Sequence, residues 1–139
     1  MSFKADKVLG TAKENELVAY LNNHTDDIYH LYKNKNSVYD FMNGEYICEL
    51  KTRRNSKDAY PDTMVGYNKI KEAEEDVSVF KYRFYFIFTD GTYYWDFVRD
   101  NYRISMGGRR DRGRPEFKEY AYIDVSQLTL LTTHIKSIP

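Results

Sequence analysis

The feature that most constrains this chain is Asn43-Gly44, set between two apolar-rich runs, Val38 to Met42 and Glu45 to Thr52. Asn-Gly accepts the positive φ angles of a two-residue type I′ turn, whose twist matches that of the strands it joins, so the spacing predicts a tight hairpin. In that register Met42 faces Glu45, Phe41 faces Tyr46 and Asp40 faces Ile47. Side chains alternate between the two sides of a strand. Asp40, Ile47, Glu49 and Lys51 therefore share one side, and Tyr39, Phe41, Tyr46, Cys48 and Leu50 share the other, the expected core face.

The remaining elements follow from periodicity and turn signals. Residues 1–10 read as a polar lead-in. Thr11 is placed to cap a helix over Ala12 to Asn22, with Glu14 three residues on to complete a capping box. Ile28 to Lys33 is a candidate first strand, followed by a turn over Asn34 to Ser37. After a polar loop, Thr63 to Asp76 has Met64, Val65, Ile70 and Ala73 at helical spacing. Phe80 to Thr89 is the most apolar and aromatic run and the best candidate for a central strand. Asp90-Gly91 should turn it back into Thr92 to Val98. Arg103 to Met106 and Tyr120 to Val125 are further strands, Gly107 to Pro115 a loop, and Leu128 to Leu131 an apolar tail. A helix between strands demands a crossover, so the sheet should be mixed, with a helix on each side or end.

With 139 residues, 42% hydrophobic and 30% charged, the chain fits a single domain with a normal core. The net charge of zero excludes a global pull toward polyanions, so nucleic-acid contact would have to come from local patches. Two stretches qualify: Lys51 to Lys57 has four cations and no acid, and Arg103 to Arg114 has five cations and one acid. Cys48 is the only cysteine, which excludes an internal disulfide or a thiolate metal cluster. No signal-peptide core or membrane-length apolar window is present, so the expectation is an intracellular, cytoplasmic protein with no membrane partner. His24, His30 and His134 lack ligand spacing.

The hairpin face carries the chemistry. Asp40 and Glu49 lie diagonally, about 7–8 Å apart at the backbone and closer at their tips. Two carboxylates at that spacing can hold one hard divalent cation, Mg²⁺ or Mn²⁺. Lys51, on the same face, can steady an attacking water or a developing phosphate charge. The same residues also admit a plain reading, a solvated hairpin face in which Lys51 pairs with Glu49.

Asp40, eight intervening residues and Glu49-Leu50-Lys51 resemble the motif of the PD-(D/E)XK nuclease superfamily. The order helix, three strands, helix, strand also resembles that superfamily's restriction-endonuclease-like core, over about Gly10 to Phe88. Tyr39 stands where the motif's name has proline. The resemblance implies a core over about 10–89 with a strand-rich C-terminal extension over 90–139. It also implies a Mg²⁺- or Mn²⁺-dependent nuclease acting on nucleic acid, DNA above RNA. Asp40 and Glu49 would be metal ligands and Lys51 the catalytic lysine. The stretch Gly10 to Leu17 is similar to the resolvase form of helix one, which implicates Glu14, with Glu16 as substitute. Lys69 on the second helix would approach phosphate, and Arg53, Arg54, Arg109 and Arg110 are candidate substrate contacts. Small members of this kind resemble resolvase-like or phage-type nucleases, so a homodimer is expected, with the aromatic hairpin around Tyr93-Tyr94-Trp95 as a candidate interface. The rival readings are an inactive nuclease-fold module that binds nucleic acid or protein, and an unrelated assembly protein.

Overall fold

The computed structural model describes residues 3–31, 39–109 and 116–139. Helix α1 spans Phe3–His24, and so begins nine residues before the predicted start. The stretch before Gly10 contains Ala5, Leu9 and two lysines, all good helix formers, and one internal glycine costs only about 1 kcal/mol. Thr11 is therefore inside the helix rather than at its cap, and the capping-box role for Glu14 does not arise. Leu17 and Leu21 are buried on the inner side of α1. At its end Thr25 donates through N–H and hydroxyl to the Leu21 carbonyl, and the Asn22 amide binds both backbone groups of Tyr29, which turns the chain back.

Six strands form the main sheet: β1 (His30–Leu31), β2 (Phe41–Met42), β3 (Tyr46–Thr52), β5 (Lys81–Phe88), β6 (Gly91–Asp96) and β9 (Thr129–Thr132), in the order β1-β2-β3-β5-β6-β9. Only the β3–β5 pair is parallel, so the sheet is mixed, as the crossover argument requires. The three strands β4 (Asp62–Gly66), β8 (Glu116–Asp124) and β7 (Arg103–Arg109) form a second, antiparallel sheet in the order β4-β8-β7. The second helix, α2, is Tyr67–Glu75.

The first hairpin differs from the expected one by two residues. Phe41 pairs with Cys48 and Met42 with Ile47, so the chain reverses over residues 43–46. Neither Asn43 nor Gly44 has a positive φ, which rules out a type I′ turn. Instead Asn43 Oδ1 accepts from the N–H of Glu45 at 2.8 Å and of Tyr46 at 2.6 Å, a side-chain-closed turn that the Asn competes successfully to make. A slip of two preserves alternation. Phe41, Cys48 and Leu50 pack with Tyr85 and Ile87 under α1, as the core-face argument expects. Tyr39 does not follow them: β2 starts only at Phe41, the chain bends at residues 39–40, and Tyr39 packs on the opposite side against Tyr82 and Phe84.

That opposite side is the larger core. Phe84, Phe86, Phe88 and Trp95 are covered by Ile70 and Ala73 of α2 and by Val65, Ala121 and Ile123 of the second sheet. The segment 63–66 is strand, not the start of a helix. Thr63 and Val65 are buried and Met64 alternates outward, a period-two pattern that lets β4 pair with β8. Its apolar residues also fitted a helical spacing, and the pairing partner that decides between the two lies more than fifty residues downstream.

In the second hairpin Phe88 pairs with Gly91, so the turn residues are Thr89-Asp90 rather than Asp90-Gly91. Gly91 has φ of +155°, and a Cβ there would stand 3.1 Å from the Thr132 carbonyl oxygen. Strand β7 runs past the predicted Met106 to Arg109, taking in part of the predicted loop, and β8 starts at Glu116; positions 110–115 lie outside the described residues. The predicted turn over Asn34 to Ser37 also lies outside them. Tyr93, Tyr94 and Trp95 are used in strand packing, with Trp95 against Phe84, Phe97 and Tyr102. Among the described residues no helix is long and apolar enough to cross a membrane.

Candidate active site

Strand β3 lies between β2 and β5, and its buried face toward α2 carries a carboxylate. Glu49 is 2% exposed. A charge in that position needs partners. Lys51 Nζ stands 3.1 Å from Glu49 Oε1, and Lys69 Nζ stands 3.2 Å from Oε2. Lys51 comes from the same strand face two residues on, and Lys69 from the first turn of α2. The Lys69 contact is an ion contact without hydrogen-bond alignment, so Glu49 Oε2 is a buried oxygen with no hydrogen-bond donor.

Asp40 is fixed beside this carboxylate by backbone bonds on both sides of Glu49. Its N–H donates to the Cys48 carbonyl at 3.0 Å, and its Oδ2 accepts from the Leu50 N–H at 2.8 Å. Asp40 sits at the bend just before β2, and its bonds to Cys48 and Leu50 hold it alongside the strand that carries Glu49. Glu14 reaches the same place from α1 and shares a hydrogen bond with Asp40.

The electrostatics are those of crowded acids. Burial first, then the hydrogen bond and negative charge of Asp40 and the charge of Glu49, push the Glu14 carboxyl up to about 8, with Lys51 opposing. Burial pushes Glu49 up to about 7; Lys51 and Lys69 oppose the rise and Asp40 adds to it. Near neutral pH the cluster therefore retains protons where ordinary carboxyls would have lost them.

Tyr39 is the contributor that sequence reasoning missed. Its hydroxyl donates to the Lys69 carbonyl, and its ring lies 5.6 Å from the Lys69 ammonium. It thus ties the residue before Asp40 to the helix that supplies Lys69. Strand alternation assigned it to the other face, and only its position next to Asp40 hinted at more.

The other candidates fall elsewhere. Glu16 is on the exposed side of α1, paired with Lys13 at 3.0 Å. Arg53 is a structural staple, donating to Thr63 Oγ1 and the Met64 carbonyl. Arg54 is half-exposed just beyond β3. Arg109 ends β7, with its side chain outside what is described, and Arg110 is outside the described residues. Cys48 is buried under α1, and burial raises its thiol well above the usual range. His24 stacks on Tyr20 and bonds its carbonyl.

Among the described residues no three His, Cys, Asp or Glu side chains are gathered into a ready-made metal cage. The donor chemistry nevertheless suits a hard dication: carboxylates arrive from α1, from the bend just before β2 and from β3. The crowding of the Glu14 and Glu49 carboxyls around Asp40 marks a place where positive charge is favoured.

Residues 4–131 match the family model described as "Phage putative PDDEXK endonuclease". No curated protein and no solved structure matches the chain. The family match spans nearly the whole sequence, including Asp40 and Glu49-Leu50-Lys51, and the chain belongs to this phage PDDEXK endonuclease family of the PD-(D/E)XK nuclease superfamily.

Proposed function

We propose that residues 1–139 form one domain that hydrolyses phosphodiester bonds in DNA with the help of Mg²⁺ or Mn²⁺. The observation that carries this reading is the buried Glu49, flanked by two lysines and held beside Asp40. Asp40 and Glu49, with Glu14, would hold the ion. Bound there, the ion supplies polarisation of the phosphoryl oxygen and an acidified water.

The protein's own groups do the rest. Asp40 is kept in position by the Leu50 N–H, so a cation meets a pre-set oxygen rather than a mobile side chain. The Glu14 carboxyl would give up its proton to a cation held there. Lys51, about one-third exposed, is the ammonium that can turn from Glu49 to a phosphate oxygen or the attacking water. Lys69 is more enclosed and keeps Glu49 oriented while Lys51 is engaged.

Cleavage of supercoiled, linear duplex and single-stranded DNA with Mg²⁺, Mn²⁺ or chelator tests this. Wild-type protein should cut only with the divalent ion, and Asp40→Ala and Lys51→Ala should lose cutting while retaining the folded far-UV spectrum. A second reading has its own observation: both Glu49 oxygens already face lysines, as in a site that binds without turnover. Wild-type protein that binds DNA but leaves every substrate intact with either ion would establish that reading instead.

A further inference from the structure

Thirteen of the tyrosines lie among the described residues, and the fold uses nearly all of their side chains. They stack on other rings, lie under cations or donate hydrogen bonds. Among the described residues, Tyr60 and Tyr122 make no hydrogen bond, ring contact or cation contact. Both line the same cavity, of about 430 Å³. Its volume lies in the range of small-molecule sites, and most of its wall is apolar, with Pro61 and Met64 beside the two rings.

The cavity is linked to the site described above through the strand that carries Lys51. Arg53, on its wall, follows Lys51 by two residues, and the Arg53 N–H still donates to the Ile87 carbonyl at 2.8 Å, so the chain remains extended there. The two backbone positions are then about 7 Å apart, roughly two base steps at 3.4 Å per step along one strand. The bonds from Arg53 to Thr63 and the Met64 carbonyl fix the wall in place. Asn55 lies at the cavity with its amide nitrogen on the Ser56 carbonyl at 2.8 Å, and its side-chain oxygen has no partner among the described residues. Two tyrosine rings and Pro61 beside an amide acceptor suit a planar heteroaromatic ring with N–H groups at its edge.

We propose that this cavity receives one unpaired nucleobase of the substrate next to the bond to be cut, which makes single-stranded or locally unpaired nucleic acid the substrate class. The proposal rests on the nuclease reading for what lies beside the cavity, and it deepens that reading. A base inside an intact duplex has both faces covered and enters only after being extruded at a cost of a few kcal/mol; a base in a single strand enters freely.

The test is binding in chelator, where no cutting occurs. The probes are a DNA strand carrying one 2-aminopurine, its RNA counterpart, and the DNA strand fully paired in a duplex. Wild-type protein should quench the 2-aminopurine of the single strand and bind it more tightly than the duplex; the RNA arm shows whether the backbone sugar matters. Tyr60→Ala and Tyr122→Ala should each weaken single-strand binding by about 5- to 150-fold, the measured range for loss of one base–aromatic stack. Tyr60→Phe and Tyr122→Phe should keep the affinity, because the ring and not the hydroxyl is used. Tyr60 is 62% exposed, so its alanine variant decides the matter even if Tyr122→Ala lowers the melting temperature. Unchanged single-strand affinity in folded Tyr60→Ala, or equal affinity for strand and duplex with no quenching, overturns the proposal. Tyrosine-dependent binding without cleavage under Mg²⁺ or Mn²⁺ supports the cavity and defeats the nuclease reading. Lys51-dependent cleavage indifferent to both tyrosines does the reverse.

Discussion

In chelator the stability of this protein should fall as pH rises from about 5 to about 7.5, and Glu49 should be the main cause. Its carboxyl is held at about 7 in the folded chain against an ordinary 4.5, because burial outweighs the two lysines. Between those values the unfolded chain has lost the proton and the folded chain keeps it. The folded state therefore binds more protons, and unfolding free energy declines with increasing pH. The difference amounts to about 3 kcal/mol once pH exceeds the folded value, or a melting temperature roughly 10 °C lower. Glu14, raised in the same sense, pulls in the same direction.

Urea or thermal unfolding at half-unit pH intervals in EDTA measures this directly. Glu49→Gln should remove most of the slope, and Glu14→Gln/Glu49→Gln should flatten it. Stability that is level or rising across this range in the wild type, or a slope that Glu49→Gln leaves intact, would refute the claim that burial dominates over Lys51 and Lys69 at this site.

Three further outcomes are expected. Mg²⁺ or Mn²⁺ at about 100 times its dissociation constant should stabilise the wild type by about 2.7 kcal/mol in differential scanning fluorimetry at pH 8, and Asp40→Ala should show no such gain. Tyr39→Phe removes the bond to the Lys69 carbonyl but keeps the ring, and should cost about 0.5–1.5 kcal/mol in urea unfolding, with a fall in cleavage rate that Lys69→Ala does not deepen. Gly91→Ala forces a side chain into a positive-φ position against the Thr132 carbonyl and should cost about 1–3 kcal/mol by the same assay.

Which parts of the site were legible depends on which interactions are local. The face shared by Glu49 and Lys51 follows from alternation within β3, so it does not depend on the hairpin register, whereas Asp40 lies at a bend where alternation breaks and is placed by its bonds to Cys48 and Leu50. The turn type is not legible locally, because Asn-Gly has two uses. The asparagine here bonds ahead to Glu45 and Tyr46 instead of adopting positive φ. Glu14 looked adequately explained by capping until the helix proved to start at Phe3. Tyr39, β4 and the β4–β8 pairing were not legible, since each is decided by a partner distant in sequence. For Tyr39 that partner is Lys69, and for β4 it is the stretch from Tyr120 to Asp124.

By sequence the C-terminal third is separable from the part that carries the motif, yet the fold joins it to the site through a short chain of contacts. Strand β8 pairs residue by residue with β4, and β4 runs straight into α2 through Gly66, whose backbone forms the cap of that helix. The first turn of α2 carries Lys69 to Glu49 Oε2. Ala121 and Ile123 of β8 enter the same buried cluster as Ile70 of α2 and Phe84 of β5, so β8 fixes the helix from its outer side as well as through the strand before it. The position of one lysine opposite one buried carboxylate is thus set by residues some fifty positions downstream. The family match, which continues to residue 131 and so takes in β8, is what this dependence leads one to expect.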